Sequence, residues 1–388
     1  MQRIYLDNAA TSWPKPESVW AAVEDYQRRL GAPAGRGVYR EAIETERLIA
    51  EARRRIAELM NAVAQQPPIF THGCTAALNL ALLGTLKPGE HVVTTVVEHN
   101  SVLRPLRYLA ESRDVTVTYV GCGADGIIDP ADIQAAITPR TRMIVLNHVS
   151  NVTGAIQPAE AVGQIAAEHD VLFLLDAAQS LGHMPVSLSE TRASFIAAPG
   201  HKGLLGPLGI GVLLMAAGLD QQLEPLCFGG TGTRSEDDHQ PASLPDKYES
   251  GTHNVPGILG LGAGVAHIQK TGLASVRKHV HALTTQLLEG LSDIPGVTIY
   301  GPRDADRQLG VVSMTIKGYD PHEAATTLDA AYGIQARPGI QCAPRMHEAL
   351  GTLRSGGTLR FSLSLMNSSE QVATAVRAVA EVATSAIC

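Results

Sequence analysis

The sequence predicts an α/β protein with a largely parallel sheet, followed by a smaller α+β domain. In the first two thirds of the chain, short apolar runs alternate with stretches of helical periodicity, which is the pattern of β–α–β units. The apolar runs contain few polar residues, as is typical of strands that are buried on both faces of a parallel sheet. The length of 388 residues also favours two domains over one.

Three apolar runs are the clearest strands of the predicted sheet: residues 91–97 (HVVTTVV), 143–146 (MIVL) and 171–175 (VLFLL). Residues 47–60 and 158–169 lie in the same part of the chain and have the periodicity of amphipathic helices. Because strands that alternate with helices are joined by crossover connections, we expect these strands to run parallel.

The uncharged segment of residues 203–219 is predicted to form a loop and then a buried strand, because Pro207 and several glycines interrupt it. It is also shorter than the roughly 20 residues that a membrane-spanning helix needs. The polar segment of residues 229–254 is rich in turn-forming residues and is predicted to be a loop.

The second domain is predicted to begin at about Pro256. A long helical pattern covers residues 255–291, a strand-like run covers residues 310–316, and a closing helix begins at about Ser369. The predicted parts of the chain are an N-terminal arm (residues 1–14) that packs on the small domain, a large cofactor-binding domain (residues 15–255) and the small C-terminal domain (residues 256–388).

Charge and composition argue against nucleic acid and membrane partners. The net charge is −7, so a polyanion or an anionic membrane is not the expected main partner. The first residues, MQRIYLDNAATSWPKP, lack the apolar run of a secretory signal. The five cysteines form no CxxC pair, which predicts free thiols in a reducing cytoplasm. The sequence has no HExxH motif or Cys/His cluster, so we expect no metal site.

The stretch AAPGHKGLLGPLG (residues 197–209) places one lysine, Lys202, in an almost uncharged setting. No other charged residue follows until Asp220. A solvated lysine usually has polar neighbours, whereas a low-dielectric setting favours the neutral, nucleophilic amine. We therefore predict that Lys202 forms an imine with an aldehyde cofactor.

The predicted strands end in side chains that can take part in chemistry, and ligands of open parallel sheets bind beyond these ends. Each side chain alone would also fit a structural role, such as a helix cap or a core histidine. Their convergence with Lys202 favours a common site instead. The side chains at the strand ends are Cys74, Thr75, Glu98, His99, Asn147, His148, Asn151, Asp176 and Gln179.

Pyridoxal 5'-phosphate is the cofactor whose chemistry uses this set of side chains. Asp176 would keep the pyridine nitrogen protonated, which lets the ring accept electrons. His99 would stack on the ring, and Gln179 and Asn151 would bond its phenolic oxygen. The helix that begins at Cys74 would offer backbone N–H groups to the phosphate.

The chain resembles the class V aminotransferase group of pyridoxal-phosphate enzymes, and within it the cysteine desulfurases and selenocysteine lyases. The resemblance extends from YLDNAAT near the N-terminus to LRFSLSLMN near the C-terminus. It implies fold type I: a large domain with a mostly parallel seven-stranded sheet and a smaller α+β C-terminal domain. The motifs that carry it, in the family's order, are THGCTAALN (71–79), VEHNS (97–101), NHVSNVTG (147–154), DAAQS (176–180), GHKGLLGPLG (200–209), ESGTHN (249–254) and RPGIQCAP (337–344).

The resemblance also implies roles for single residues around the cofactor. Lys202 matches the Schiff-base lysine. Thr252 matches a threonine that reaches the phosphate of the neighbouring subunit, which implies a homodimer. The residues that match the other cofactor-binding positions are Cys74, Thr75, His99, Asn151, Asp176, Gln179 and His201.

On the substrate side, Arg360 matches the arginine that binds the substrate carboxylate, and Asn8 and Ala9 lie in the motif that closes over the substrate. Cys342 matches the nucleophilic cysteine. The implied reaction removes the α-proton of L-cysteine, transfers the sulfur to Cys342 as a persulfide and releases L-alanine. The implied catalytic residues are Lys202, His99 and Cys342.

The resemblance leaves several points open. L-Selenocysteine is a second substrate that it allows, and the short segment around Cys342 resembles a subgroup that works with a separate sulfur-acceptor protein. Pro199 replaces a serine or threonine that bonds the phosphate, and Gln341 stands where many relatives have histidine. Two alternative functions remain. One is transamination or lyase chemistry on another amino acid, with Cys342 as a packing residue, and the other is a non-catalytic cofactor-binding protein.

Overall fold

The structure, a computed structural model, describes residues 3–35, 37–63, 66–233 and 236–385. Its strands are β1 (Ile4–Tyr5), β2 (Ile69–Thr71), β3 (His91–Thr95), β4 (Thr116–Val120), β5 (Thr141–Asn147), β6 (Leu172–Asp176), β7 (Phe195–Pro199), β8 (Gly211–Met215), β9 (Val297–Tyr300), β10 (Val311–Ile316), β11 (Ile334–Gln335), β12 (Arg337–Gly339) and β13 (Thr358–Ser362). Its α-helices are α1 (Glu17–Asp25), α2 (Arg40–Leu59), α3 (Cys74–Thr85), α4 (Asn100–Ser112), α5 (Pro130–Ala135), α6 (Ala159–Glu168), α7 (Leu188–Thr191), α8 (Val255–Thr271), α9 (Leu273–Ser292), α10 (Pro321–Tyr332), α11 (Pro344–Ala349) and α12 (Ser369–Ser385).

The larger sheet of the described chain has seven strands in the order β2-β8-β7-β6-β5-β3-β4. β8 is antiparallel to both of its neighbours, and the other adjacent pairs are parallel. The prediction of a mostly parallel seven-stranded sheet is therefore confirmed. Asn147 pairs with Asp176, and Asp176 pairs with Ala197. The carboxyl ends of β5 and β6 thus lie side by side, with β7 next to them.

Hydrophobic cores cover both faces of this sheet. On one face, Phe173 and Leu175 of β6 belong to a core that includes residues of α2, α6 and α8. On the other face, Leu174 belongs to a core that includes residues of α3 and α4. All three side chains are fully buried. Burial on both faces explains why these strands are continuously apolar rather than alternating.

A second sheet, in the C-terminal part of the chain, has the order β12-β13-β10-β9 and is antiparallel. Helices α9, α10 and α12 contribute Leu287, Leu328 and Val379 to its separate core. Leu6 of the N-terminal arm is buried in the same core, and β1 pairs in parallel with β11. The predicted domain boundaries stay a prediction. Helix α8, which the prediction places in the small domain, contributes Ile258 and Val265 to the core of the larger sheet instead.

Two helices differ from the sequence-based expectation. The helical pattern of residues 255–291 forms α8 and α9 rather than one helix, because Gly272 adopts a left-handed φ of 83° between them. Helix α2 begins at Arg40, before the predicted start at residue 47. Its added turns are polar but bury Ala42 and Thr45, so tertiary packing extends the helix beyond its apolar pattern.

Strand β3 and the segment of residues 203–219 can also be compared with the sequence-based prediction. β3 ends at Thr95 rather than at residue 97, because the chain turns there and His99 caps helix α4. The segment of residues 203–219 forms a loop and then the buried strand β8, as predicted. Within the described residues, no helix combines the length and the apolarity needed to cross a lipid bilayer.

Candidate active site

A cavity of about 300 Å³ opens at the carboxyl ends of β5, β6 and β7. Most of the residues that the sequence predicts as site residues line it together, although they come from distant parts of the chain. Asn8, Thr252 and Cys342 do not line it. The predicted residues that do are Ala9, Cys74, Thr75, His99, Asn151, Asp176, Gln179, His201, Lys202 and Arg360.

The turn after β7 places Lys202 in the cavity. Within this turn, the Leu205 N–H donates to the Lys202 carbonyl at 2.9 Å, and the Gly206 N–H donates to the Gly200 carbonyl at 2.7 Å. Gly203 follows the lysine, and a Cβ there would lie 2.3 Å from the Leu181 carbonyl oxygen, so the close approach requires glycine. Burial lowers the pKa of Lys202, with the nearby Asp176 carboxylate opposing the shift. The environment therefore favours the neutral amine, as the sequence predicts.

The N-terminal arm and Lys15, which directly follows it, hold the residue next to this lysine. The carbonyl of His201 accepts hydrogen bonds from the Ser12 N–H at 2.9 Å, from Lys15 Nζ at 2.8 Å and from Thr11 Oγ1 at 3.1 Å. Burial lowers the pKa of Lys15 to about 8. The arm thus fixes the backbone from which Lys202 projects.

Asp176 ends β6 and lies opposite Lys202. One carboxylate oxygen, Oδ1, accepts from the Ala178 N–H at 2.9 Å and lies 3.7 Å from the Cys74 sulfur. The residue is 2% exposed. Burial raises its pKa, while the Ala178 N–H and Lys202 act in the opposite direction. A carboxylate in such a place is stabilised by a cationic partner, and a protonated heterocyclic nitrogen would supply one.

His99 lines the same cavity and caps helix α4. Its Nδ1 accepts from the Ser101 N–H at 3.0 Å. Burial, followed by the charge of Lys202, lowers the His99 pKa to about 4. The imidazole is therefore neutral at neutral pH and carries its proton on Nε2. A neutral aromatic ring in this position can stack on a planar ligand.

The N-terminus of α3 forms one end of the cavity. The helix begins at Cys74, so its first N–H groups belong to Cys74 and Thr75. Gly73, just before it, has a φ of 99°. The Thr75 hydroxyl lies 2.8 Å from the Ser101 hydroxyl. Burial, and then the Asp176 charge, raise the pKa of Cys74 well above its usual value, so this residue is a neutral thiol. Helix N–H groups and hydroxyls of this kind suit a phosphate.

Arg360 forms the other end of the cavity and is 1% exposed. One guanidinium nitrogen, Nη2, contacts Asp7 Oδ1 at 2.6 Å, and the other, Nη1, donates to the Asn151 carbonyl at 2.9 Å. Among the described residues, Arg360 Nε, Asn151 Oδ1 and His201 Nδ1 are buried without a hydrogen-bond partner. A bound molecule with matching polar groups would satisfy these atoms, because buried unpaired groups are costly.

The arm closes one side of this cavity. Gln179 Nε2 donates to the Ala9 carbonyl at 3.0 Å. The Asn8 amide nitrogen donates instead to the Ser362 carbonyl at 2.9 Å and to Asn367 Oδ1 at 3.0 Å. Asn8 therefore fastens the arm to the C-terminal part of the chain, and its role in substrate binding stays a prediction.

Cys342 lies just outside the main cavity, in the turn between β12 and α11. It lines an adjacent groove that shares Thr75, His99 and Ser101 with the cavity. Arg337 Nη2 lies 3.6 Å from the Cys342 sulfur and also lines the main cavity. The thiol thus stands at the boundary between an enclosed site and an open groove, beside a fixed positive charge.

Thr252 lines a different cavity, on the other side of His72, which is common to both. The segment that carries it is anchored by Glu249. That carboxylate contacts Arg53 Nη1 at 2.6 Å and Nη2 at 2.8 Å and accepts from the Phe70 N–H at 2.7 Å. Thr252 is therefore separated from the other predicted phosphate ligands of its own chain.

Sequence reasoning missed several residues that shape the site. The sequence predicts no role for Asp7, although it pairs with Arg360, and none for Arg337, although it lies beside the Cys342 sulfur. His347 lies outside every quoted motif and contacts the side chain of Gln341 at 2.7 Å. No periodicity marks these residues, because their contacts join segments that are distant in sequence or lie within a tight turn.

The sheet order and the lysine at the carboxyl edge define an α/β protein of fold type I. The chain belongs to the aminotransferase class-V family, whose model matches residues 4–374. A probable cysteine desulfurase of Methanothermobacter thermautotrophicus is 37% identical over 373 residues, 95% of this chain and 92% of that one. One of Halalkalibacterium halodurans is 36% identical, with 95% and 90% covered. The structure of a cysteine desulfurase from Thermococcus onnurineus matches with a TM-score of 0.93 and 34% identity, covering 99% and 95%.

Proposed function

We propose that this chain is a pyridoxal-phosphate-dependent cysteine desulfurase, which converts L-cysteine to L-alanine and receives the sulfur as a persulfide on Cys342. The observation that carries the proposal is the position of Cys342 at the rim of a cavity that contains Lys202, Asp176 and Arg360. The names of the relatives that are 36% and 37% identical support the same reaction.

The residues of the cavity fit pyridoxal phosphate. When bound, this cofactor supplies an aldehyde for imine formation and an electron sink for bonds at the substrate α-carbon. Lys202 offers the amine, and Asp176 offers a carboxylate for the ring nitrogen. His99 offers a neutral ring for stacking. The remaining cofactor ligands in this proposal are Cys74, Thr75, Asn151, Gln179, His201 and, from a second subunit, Thr252.

Arg360 would bind the substrate carboxylate through its guanidinium. Its present partner, Asp7, lies on the arm beside Ala9. A substrate carboxylate must therefore share or replace the contact with Asp7. Lys202 Nζ, once free, is the nitrogen in the cavity that can take the α-proton of the bound amino acid.

Cys342 would complete the reaction as the nucleophile. Its thiolate forms a sulfur–sulfur bond with the substrate thiol sulfur while the carbon–sulfur bond breaks, and that electron pair remains with the carbon. Protonation of the carbon yields alanine. A thiol of a reductant or of an acceptor protein then takes the persulfide sulfur from the groove side. L-Selenocysteine would bind through the same groups.

A homodimer is part of this proposal. Thr252 does not line the cavity that contains Lys202. The second cavity, which Thr252 does line, is also lined by Leu226, which is 45% exposed. Phe228, two residues further along the chain, is 68% exposed. A second copy of the chain would cover this apolar surface and bring its Thr252 toward the phosphate. The scattered cysteines support a reducing cytoplasm as the location.

The decisive test is the stoichiometry of products from L-cysteine in the presence of a reductant. With the reductant, wild type should release one alanine per sulfide, and without the reductant it should retain the sulfur as a persulfide on Cys342. Cys342→Ser should keep the absorbance of the bound cofactor but form no persulfide and release little alanine. Cys122→Ser is the matched control and should behave as wild type, because Cys122 lies outside the cavity and the groove.

Two results would contradict the proposal. Alanine release from L-cysteine at the wild-type rate in Cys342→Ser would make Cys342 a packing residue. Formation of a keto acid with consumption of a second keto acid would identify a transaminase instead. Both products are quantified in the same reaction, so one experiment separates the alternatives.

A further inference from the structure

The turn that carries Cys342 has an unusual backbone. Gln341 has φ 45° and Cys342 has φ 61°, so two consecutive residues with side chains lie in the left-handed region. This region strongly favours glycine, and other residues stay in it when surrounding contacts hold them there. Contacts around the turn must therefore fix the position of the thiol.

The side chain of Gln341 supplies most of these contacts, and it is 3% exposed. Its Nε2 donates to the Thr358 carbonyl at 2.8 Å and to the Arg337 carbonyl at 3.4 Å. Its Oε1 lies 2.7 Å from His347 Nε2. The two carbonyls settle the orientation of the amide, because rotating it would bring two oxygens together. Oε1 is thus an acceptor, and His347 Nε2 must donate.

His347 is held in the tautomer that makes this donation. It is fully buried in α11, and its Nδ1 lies 2.8 Å from the Thr352 hydroxyl. Burial, with the charge of Arg360 nearby, lowers the His347 pKa to about 4. The ring is neutral at neutral pH, so Nδ1 accepts from Thr352 and Nε2 carries the proton.

The main chain of the same turn is tied to the cofactor side of the site. Asn151 Nδ2 donates to the Gln341 carbonyl at 2.6 Å, and the Asn100 N–H donates to the Cys342 carbonyl at 2.8 Å. Asn100 follows His99 directly. Displacement of Gln341 would therefore move the thiol relative to the cavity.

We propose that His347 is a positioning residue for Cys342: through its hydrogen bond to Gln341, it fixes the left-handed turn that presents the thiol to the substrate sulfur. The proposal rests on the proposed function of Cys342 as the sulfur nucleophile. His347 itself lines neither the cavity that contains Lys202 nor the adjacent groove. Its effect belongs to the sulfur-transfer step and not to substrate binding.

The test compares His347→Phe with His347→Gln in the holoenzyme. Phenylalanine fills the space but donates no hydrogen bond, whereas the glutamine amide can donate from nearly the place of Nε2. In His347→Phe we expect persulfide formation on Cys342 to slow about 10-fold, as for one lost buried hydrogen bond. The KM for cysteine should stay within about twofold, because Arg360 is unchanged. His347→Gln should recover most of the rate.

A second measurement follows the turn without any substrate. The rate at which iodoacetamide alkylates Cys342, read by peptide mass spectrometry, should rise at least about threefold in His347→Phe, because the half-buried thiol is released. Exposed Cys227 is the internal control, and its rate should not change. Thr352→Val removes the hydroxyl that orients the ring. Like His347→Phe, it should slow persulfide formation and speed up alkylation, but each by a smaller factor.

Wild-type rates of persulfide formation and alkylation in His347→Phe would overturn the proposal. Equal impairment of the phenylalanine and glutamine variants would overturn it as well, since the donor would then be irrelevant. If His347→Phe does not fold, Thr352→Val decides, and unchanged rates in that variant overturn the proposal. Failure of wild type to form any persulfide would refute the proposed function instead, while the alkylation rates would still test the turn.

Discussion

Burial shifts the pKa values of three side chains of the cavity, lowering two of them and raising the third. It lowers the pKa of Lys202, and it lowers the pKa of His99 to about 4, so the His99 ring is neutral at neutral pH. It raises the pKa of Asp176, so a charged carboxylate there gains from a cationic partner. An amine that loses its proton more readily, a neutral ring and a carboxyl that is stabilised by a cation match an aldehyde cofactor with a basic ring nitrogen.

Lys202→Ala tests the assignment of the amine at the residue scale. The variant should lose turnover by more than about 10³-fold, as is usual when a covalent catalytic group is removed. Borohydride should fix the cofactor to the wild-type chain but not to the variant, as read by absorbance and peptide mass spectrometry. Lys87→Ala, at an exposed position, is the matched control. Fixation of the cofactor at another lysine of wild type would refute the assignment.

At the scale of elements, the pair of Arg53 in α2 and Glu249 anchors the segment that carries Thr252. The two side chains are 14% and 2% exposed, and the Arg53 guanidinium also contacts the Phe70 ring and the Pro68 carbonyl. Helix α2 is thereby tied to the segment of residues 249–254. Such a buried pair is costly to break, because one charge is left without its partner.

Glu249→Gln should therefore lower the free energy of unfolding by about 3 kcal/mol, measured by urea denaturation. The exposed pair of Glu24 and Arg28 provides the control, and Glu24→Gln should have no measurable effect. A Glu249→Gln protein as stable as wild type would show that the pair does not stabilise the fold. If the variant is as stable as wild type but retains the cofactor less well, the pair serves to position the segment of residues 249–254.

The centre of the sheet could be predicted from sequence because β5 and β6 are apolar on both faces and end in Asn147 and Asp176. The break at Gly272 was missed, since a single glycine in an apolar helical pattern is common within helices. The early start of α2 was missed for the opposite reason. Its first turns are polar and lack the apolar periodicity of the rest of the helix, although Ala42 and Thr45 are buried.

The residues that line the cavity can be predicted from sequence better than the contacts that hold them in place. Lys202 and the strand-end residues each sit in a recognisable local context. The contact between Asp7 and Arg360 joins residues 353 positions apart, and that between Asn151 and Gln341 joins residues 190 apart. Such contacts follow from the packing of the N-terminal arm and the C-terminal sheet on the larger sheet, which no local pattern encodes.

For the whole molecule, the proposed dimer can be tested by mixing two variants. Lys202→Ala lacks the amine, and Thr252→Ala should retain cofactor poorly, so each should be nearly inactive at limiting cofactor. If Thr252 acts across subunits, a mixed dimer contains one intact site. Complete exchange should then restore about one quarter of wild-type activity, since half of the dimers are mixed and each has one working site.

The two variants alone are the controls, and sedimentation of the mixture checks that dimers form. No recovery in mixed dimers would mean that Thr252 serves its own chain. A fully active monomer at assay concentrations would remove the dimer from the proposal altogether. Recovery above the level of the separate variants is the outcome that the position of Thr252 predicts.

The docking of the N-terminal arm has a consequence for the order in which the protein is made. Asp7 contacts Arg360, Leu6 is buried in the C-terminal core, and β1 pairs with β11. The arm is therefore translated more than 300 residues before the segments on which it packs. The same arm donates a hydrogen bond from Thr11 to the His201 carbonyl and accepts one from Gln179 at Ala9. A nascent chain that has not yet reached Arg360 therefore lacks these contacts, so the cavity cannot be completed before β13 has been synthesised.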